Sequence, residues 1–267
     1  MKIDGQLMDL SQFPDRPAYD IGHRAMVDER GPRGNDFAQQ ILGTVANDLN
    51  KPVVELDILD IGCGYGHTAL ALASRCRSVV GIEPCREPAE IAQQLQVQEK
   101  AVNACFHHAT LEGFQTDDRF DLIILDNVLE HLPDQPGALE RIYQLLRPGG
   151  VLYLLVPNKY WPIEVHYHLL FLGWMPVPLA NLYLKVTGKG TDYTDASYAP
   201  GFLRMVRLMN QHRHWNWRFA LPANLAWTTA GSAWHYRFGV GLLKRCPLLW
   251  AISKAFLIVA RKRGDQS

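Results

Sequence analysis

The sequence predicts an α/β protein built on a doubly wound, mostly parallel sheet with helices on both faces and an aromatic, basic C-terminal cap. Three observations carry that expectation. Short β-branched runs alternate with helical patterns over about 100 residues in the middle of the chain, one of those runs ends directly in a glycine-rich turn, and charge and aromatic residues divide unevenly between the two ends.

The elements follow in order. After Asp36, which can cap a helix start, Phe37, Ile41, Leu42, Val45 and Leu49 recur at helical spacing, and Lys51-Pro52 ends the pattern. Aliphatic, β-branched runs follow at 56–61, 79–83, 104–107, 121–125 and 151–156. Between them lie helical patterns at 68–74, 88–99 and 137–146, and Arg147-Pro148-Gly149-Gly150 supplies a helix stop and a tight turn. This alternation reads as parallel strands joined by crossover helices. Residues 158–200 lose the period and are rich in Pro, Gly, Tyr and Trp, as loops and short helices over the carboxyl edge of a sheet would be. Beyond them, 202–211 reads as a helix, 215–221 as a strand, 240–253 as a helix and 255–260 as a last strand before an exposed Arg261-Lys262-Arg263 tail. The expected partition is an N-terminal helical segment at 1–50, a core at 51–158, and a cap with completion of the sheet at 159–267.

Composition narrows the class. The 267 residues are 48% apolar and 20% charged, ordinary values for a chain long enough to close its own core. Five cysteines, odd in number and without a C-x-x-C pair, argue against a disulfide framework or a zinc ribbon and fit a reducing cytoplasm; no metal is expected. The first residues, MKIDGQLMDLSQF, lack the basic region and apolar run of a signal peptide, and no uncharged apolar stretch reaches about 20 residues, so neither secretion nor a membrane span is expected. Net charge is zero, yet residues 1–195 hold 26 acidic groups against 16 basic ones, whereas 196–264 hold eleven Lys and Arg and no Asp or Glu. All seven Trp lie at or beyond Trp161, and 19 of the 27 aromatic residues lie beyond residue 150. Two parts that face different partners would show such a division.

The sharpest motif is Ile58-Leu59-Asp60-Ile61-Gly62-Cys63-Gly64-Tyr65-Gly66. A hydrophobic strand runs into glycines at alternate positions and a helical pattern starts at once. Glycine serves where the backbone takes positive φ or lies against a ligand, and the following helix start presents free amides, so the segment reads as a nucleotide site. The spacing is G-x-G-x-G rather than the G-x-G-x-x-G of dinucleotide sites, which weakens a nicotinamide reading. Glu83 closes the second strand 21 residues after Gly62, where a carboxylate can accept hydrogen bonds from the hydroxyls of an adenosine ribose. That role is common to both cofactor classes.

Together, LDIGCGYG, the acid in GIEP, FDLIILDNVLEHL and LLRPGGVLYLLVPN resemble the class I S-adenosylmethionine-dependent methyltransferases, in particular the branch with the ubiquinone-pathway O-methyltransferases and bacterial small-molecule methylases. The resemblance covers residues 54–158 and implies a Rossmann-like core with S-adenosyl-L-methionine as cofactor. By position it implies that Asp60, Gly62, Cys63, Gly64 and Gly66 surround the methionine part and that Glu83 holds the ribose. It further implies that the segment 108–112, with Thr110 and Leu111, lies beside the adenine, and that Asp126 and Asn127 start the loop under the methyl group. The acid that many relatives place after the third strand for the adenine amino group is replaced here by Ala109-Thr110-Leu111.

The chemistry asks little else of the protein. Methyl transfer from a sulfonium is an in-line displacement, so the chain must align donor and acceptor, exclude water and, for a hydroxyl acceptor, remove a proton. Candidate groups are His131, after the fourth strand, and Glu164 with His166, after the fifth, each at the carboxyl edge where ligands bind in such sheets. Each also has a structural alternative, as a loop-fixing or helix-capping side chain. His107 and His108 read as a strand-end pair. Residues 167–179 carry no Lys, Arg, Asp or Glu but one Tyr, one Phe, one Trp and several aliphatic side chains, which suits either a lipid-gripping loop or a buried cap. With the acid-free basic segment, the expected partner is a small-molecule or lipid-linked acceptor, such as an isoprenoid or surface-glycan precursor, or an anionic membrane surface. RNA binding fits basic plus aromatic residues less well, since no RNA-binding module is recognisable. The reading is a cytoplasmic O-methyltransferase, membrane-peripheral where lipid is involved. Its rivals are a nicotinamide-dependent oxidoreductase, an RNA methyltransferase and a non-catalytic binding module.

Overall fold

A computed structural model describes residues 33–211, 215–225 and 234–263. Its strands are β1 (Asp57–Ile61), β2 (Ser78–Glu83), β3 (Ala104–His108), β4 (Phe120–Asp126), β5 (Leu146–Pro157), β6 (Trp215–Phe219) and β7 (Ala255–Lys262). They form one sheet in the order β3-β2-β1-β4-β5-β7-β6. From β3 to β5 the pairings are parallel, and β7 lies antiparallel to both β5 and β6.

The strands are apolar on both sides because the sheet is covered on both sides. Leu59, Ile61, Ile123, Leu125, Leu152 and Leu154 point to one face, and Ile58, Leu122, Ile124, Val151 and Tyr153 to the other, the period of two that a strand imposes. Helices α1 (Gly34–Val45), α2 (His67–Ala73) and α3 (Arg86–Gln98) cover the second face through Ile41, Val45, Leu70, Leu72 and Ala92. Helix α4 (Gln135–Leu145) and α6 (Phe202–Gln211) cover the first through Leu139, Ile142, Met205, Leu208 and Met209. Between them in sequence, α5 (Val177–Thr187) belongs to a separate small core of Leu169, Leu172, Ala180, Leu184, Tyr193 and Ala196 inside residues 158–200.

Several expectations need correction. Helix α1 starts at Gly34 with Arg33 in the cap position, and Asp36 sits in the first turn, bonded to Arg33 Nε at 3.3 Å. It therefore complements the helix dipole rather than capping it. Arg147-Pro148-Gly149-Gly150 follows the helix end at Leu145, but it lies within β5 as an irregularity, where the pairing with β4 jumps from Phe120↔Leu146 to Leu122↔Val151. The expected helix over 240–253 divides into α7 (Trp234–Arg245) and a 3-10 segment, Pro247–Ile252, because Pro247 cannot continue the helix. Arg261 and Lys262 are strand residues, not a tail: Lys262 Nζ donates to the carbonyls of Tyr143 and Leu146, both at 2.9 Å. Residues 1–32 of the expected N-terminal segment, Arg213, Trp227 and Asp265 lie outside the described residues.

The aromatic skew has a structural origin. Phe219 stacks on Phe202 at 5.6 Å and on Trp250 at 4.9 Å between ring centroids, and Phe256 and Trp215 are buried in the same core. Much of the C-terminal aromatic content thus closes the first face of the sheet.

The chain winds outward from β1 to β3 and returns to β4 on the other side of β1, so β1 and β4 form the switch point of the sheet, where ligand crevices open. The cap is tied beside it. Asn158 Nδ2 donates to the carbonyls of Ala251 and Ser253 at 3.0 and 2.9 Å, and Gln135 Nε2 to those of Leu129 and Tyr198 at 2.9 and 2.8 Å.

Candidate active site

The loop after β1 is held in shape by backbone geometry. Gly62, Gly64 and Gly66 all have positive φ, at 69°, 55° and 78°. A Cβ on Gly62 would lie 2.4 Å from Val128 Cγ2, whereas on Gly64 it would meet no atom of the described residues within 4 Å. Gly62 is therefore required by packing and Gly64 faces the crevice. The loop is pinned to β2: the amides of Gly62 and Cys63 donate to the Ile82 carbonyl at 2.8 and 3.1 Å, and the Gly64 amide donates to Glu83 Oε2 at 3.0 Å. Glu83 Oε1 accepts from the Cys85 amide at 2.9 Å. The buried Glu83 carboxylate thus organises two loops at once. Burial raises its pKa, and the Cys85 and Gly64 amides oppose that shift. Burial likewise pushes the Cys63 thiol well up. Asp60 is buried at the end of β1.

On the other side of β2, Thr110 Oγ1 accepts from the Gly113 amide at 3.0 Å and closes a turn, while the Leu111 side chain belongs to the core. What this segment can offer a cofactor is backbone. His108 is engaged with the Pro84 carbonyl at 2.9 Å, and His107 contacts Cys105 Sγ at 3.3 Å on the edge strand. After β4, Asn127 takes φ 55°, a conformation asparagine tolerates, and donates to Asp126 Oδ1 at 2.6 Å.

The candidate proton-handling groups come together from two elements. His131 ends the 3-10 turn Leu129–His131 after β4, and Glu164 and His166 lie in the cap after β5. The His131 and His166 rings meet edge to face, 5.4 Å between centroids. His166 Nδ1 bonds Glu164 Oε1 at 2.7 Å, and Glu164 Oε2 accepts from the amides of His166 and Tyr167 at 2.8 and 2.7 Å. Glu164 therefore serves both readings made from the sequence: it fixes a turn and it orients His166. Burial works against its charge, but the His166 ring and the two amides outweigh burial and its pKa lies below the ordinary value. Sequence reasoning passed over Glu130. It is fully buried between Leu129 and His131, no other residue among those described donates a hydrogen bond to its carboxylate, and burial raises its pKa, offset in part by His131 and His166. Its position beside His131 in an apolar run was the only available signal.

A methyltransferase-domain family model matches residues 27–227. The chain belongs to the S-adenosylmethionine-dependent methyltransferase family. The cofactor of that family, S-adenosyl-L-methionine, decides between the two classes left open by Glu83 and excludes the nicotinamide reading. Among curated relatives, this methyltransferase is 33% identical over 136 residues to the ubiquinone biosynthesis O-methyltransferase of Aeromonas salmonicida, covering 50% of this chain and 53% of that one. With the enzyme of the same name from Histophilus somni it shares 32% over 176 residues, 63% and 68% of the two chains. The chain thus spans about half to two thirds of the length of these relatives. The plantazolicin methyltransferase BpumL, solved with a desmethyl-plantazolicin analogue and SAH, has the same fold at a TM-score of 0.61 and 16% identity, over 95% of this chain and 93% of that one.

The residues of the crevice fit the cofactor. Left-handed glycines at the end of β1, open space over Gly64 and a buried carboxylate at the end of β2 form the cradle that an adenosine with a methionine tail requires.

Proposed function

We propose that this methyltransferase O-methylates a small hydrophobic or lipid-linked acceptor, an isoprenoid or surface-glycan precursor, at the cytoplasmic face of an anionic membrane. The observation that carries the reading is the cap. Beside the histidine cluster it exposes Tyr160, Ile163, Leu170, Phe171, Trp174 and Leu179, each at 44–57% of its surface. Helix α5 adds Leu182 and Val186 to the stripe begun by Leu179, with exposed Lys185 and Lys189 at the same end. Aromatic and aliphatic side chains flanked by lysines form the composition of an interfacial element. Exposed Arg204, Arg207, Lys244, Arg245 and Lys254 add charge that an anionic surface complements. No described helix is long and apolar enough to cross a membrane.

In this reading Gly62, Gly64 and Gly66, with Asp60 and Cys63, cradle the methionine part, Glu83 takes the ribose hydroxyls, the backbone of Thr110 and Leu111 borders the adenine, and Asp126 and Asn127 floor the methyl group. When bound, the cofactor supplies an electrophilic methyl group for in-line transfer. The protein aligns the acceptor oxygen and excludes water. His131 and the Glu164–His166 pair lie where that oxygen arrives, and Glu164 fixes the His166 ring with Nε2 as the atom free to face it.

The test is transfer of tritiated methyl from S-adenosylmethionine to a polyprenylated phenol in anionic vesicles, against the same headgroup without its tail. Preferential labelling of the tailed acceptor is expected. Equal labelling of both would remove the lipid part of the reading, and labelling of RNA alone would replace it.

A further inference from the structure

We propose that α7 is an interfacial helix that docks this methyltransferase on an anionic phospholipid surface, with the acceptor crevice beside the bilayer. Strands β6 and β7 are antiparallel neighbours, which a turn of two residues can join, yet residues 220–254 lie between them. That insert carries α7. Val240 is buried and Leu243 packs against the core of the first face, so the inner side of the helix is covered. The outer side is apolar too: Trp234, Phe238 and Leu242 recur at i, i+4 and i+8 and are 77%, 62% and 38% exposed. A helix apolar on both sides belongs in an interior, whereas this one is exposed along its outer stripe.

The stripe does not end with the helix. Leu248 and Ile252 on the 3-10 segment Pro247–Ile252, which packs on α7 and α6, are exposed, as is Leu203 at the start of α6. The same elements and their flanks carry exposed Arg204, Arg207, Arg237, Lys244, Arg245 and Lys254, and residues 196–264 contain no Asp or Glu. Charge of one sign opposes a second copy seated face to face, because cations would meet cations. An anionic lipid surface satisfies both features: its headgroups pair with the basic side chains, and the apolar stripe enters the acyl boundary.

The insert rejoins the sheet at the edge that holds the site. Strand β7 begins opposite the end of β5, with Ala255 paired to Pro157, and Asn158 Nδ2 donates to the carbonyls of Ala251 and Ser253 at 3.0 and 2.9 Å. Residues 251–255 therefore lie at the carboxyl edge, where the cap departs and His131 follows β4. A surface seated on the insert at this edge adjoins the crevice. Docking stands on the α7 stripe and its charges, which the cap argument did not need; its use, delivery of a lipid-linked acceptor from the bilayer, rests on the function proposed above.

The experiment floats the full chain with vesicles of phosphatidylcholine and phosphatidylglycerol in equal parts, and with phosphatidylcholine alone, at low and high salt. The parent should float with the anionic vesicles and stay behind with the neutral ones. Phe238→Ser with Leu242→Ser should weaken binding about tenfold or more, in a part that salt does not reach. Arg237→Gln with Arg245→Gln should weaken it about 30-fold at low salt, from about 1 kcal/mol per basic residue, and far less at high salt. Both variants should keep the parent's affinity for S-adenosylhomocysteine, which reports an intact fold. Should the serine pair fail to fold, the arginine pair still decides. A parent that ignores anionic vesicles at low salt, or α7 variants that float as well as the parent, overturns the proposal. Loss of flotation in Phe171→Ser with Trp174→Ser alone would defeat α7 and keep the cap reading; loss in the α7 variants alone would do the reverse. A dimer that the α7 variants abolish, without flotation of the parent, would replace the lipid surface with a second copy.

Discussion

The two halves of the crevice are built by different means. On the β1–β2 side, shape comes from backbone: positive-φ glycines and amide bonds to the Ile82 carbonyl and the Glu83 carboxylate. On the cap side it comes from side chains, His131 from one loop and Glu164 with His166 from another, joined across a ring contact. A backbone-built site is costly to alter where a left-handed turn is also closely packed, as at Gly62 and Gly66. A side-chain site can be retuned by moving a loop. The cofactor end of such a fold is accordingly rigid, and the acceptor end is the part able to diversify.

The largest expected effect tests the rigid half against itself. Gly62→Ala combines a left-handed backbone with a Cβ 2.4 Å from Val128 and should cost about 2–4 kcal/mol of stability by urea unfolding. Gly64→Ala carries only the backbone cost, about 1 kcal/mol, because no atom of the described residues lies within 4 Å, and should show the greater loss of S-adenosylhomocysteine affinity. Equal unfolding curves for the two variants would show that packing does not distinguish them.

Glu83→Ala comes next. On the proposed reading, in which Glu83 takes the ribose hydroxyls, the variant should weaken cofactor binding by about 1.5–3 kcal/mol. The carboxylate also holds the Gly64 and Cys85 amides at 3.0 and 2.9 Å, so the variant should lose about 1–3 kcal/mol of stability as well. Calorimetric titration reads the first effect and unfolding the second; an affinity loss without a stability loss would make the carboxylate a ligand group only.

The same contrast decides what was legible in the sequence. Glycines at 62, 64 and 66 and the acid at 83 stand at fixed intervals along one strand-turn-helix unit, so local spacing determined their arrangement before any folding was known. Strand and helix limits in the core followed from period and from Pro and Gly. The cap and its candidate groups were legible, but the contact between them was not, because His131 and His166 are 35 positions apart and meet only through the packing of residues 158–200 on the sheet edge. Lys262 misled for a related reason: in sequence it sits in a basic tripeptide, but its ammonium reaches two carbonyls at the end of α4. Glu130 offered only its place beside His131 in an apolar run, since burial of a carboxylate is a tertiary fact.

A third, smaller effect lies at the opposite end of the sheet and serves as a control for both halves. Arg77 beside Asp57 holds its carboxyl well below the usual range, against the opposing effect of burial and with help from Ser78 and Arg147. Arg147 also reaches Asp121 at 2.6 Å. A depressed carboxylate stabilises the fold at every pH above its unfolded value, about 4, and that contribution is lost as pH falls further through the folded value. Melting temperature should therefore drop below about pH 4. Asp57→Asn should flatten this dependence and cost about 1 kcal/mol at neutral pH, since the network is partly exposed. Cofactor affinity should not change, because Asp57 lies at the far end of β1 from Gly62. An affinity loss here would mean that the two ends of the strand are coupled.

The smallest effect on stability belongs to the cap and is the most informative about its purpose. Phe171 holds φ 56°, a left-handed backbone that bulky side chains rarely adopt, and yet 45% of its surface is exposed. Its ring meets Trp174 edge to face at 4.8 Å. Phe171→Gly relieves a backbone cost of about 1–2 kcal/mol and forfeits an aromatic contact of about 0.5–1.5 kcal/mol, so the two nearly cancel. Unfolding should shift by less than about 1 kcal/mol in either direction. Flotation with anionic vesicles should nevertheless weaken, and the lost part should be insensitive to salt, because apolar insertion depends on buried area rather than charge. Lys185→Gln with Lys189→Gln should remove a salt-sensitive part instead, at about 1 kcal/mol per lysine near the surface. If Phe171→Gly destabilises the protein strongly and leaves vesicle binding intact, the ring is a packing element and the cap is a lid over a soluble acceptor. If it does the opposite, the strained aromatic is kept for what it touches outside the protein.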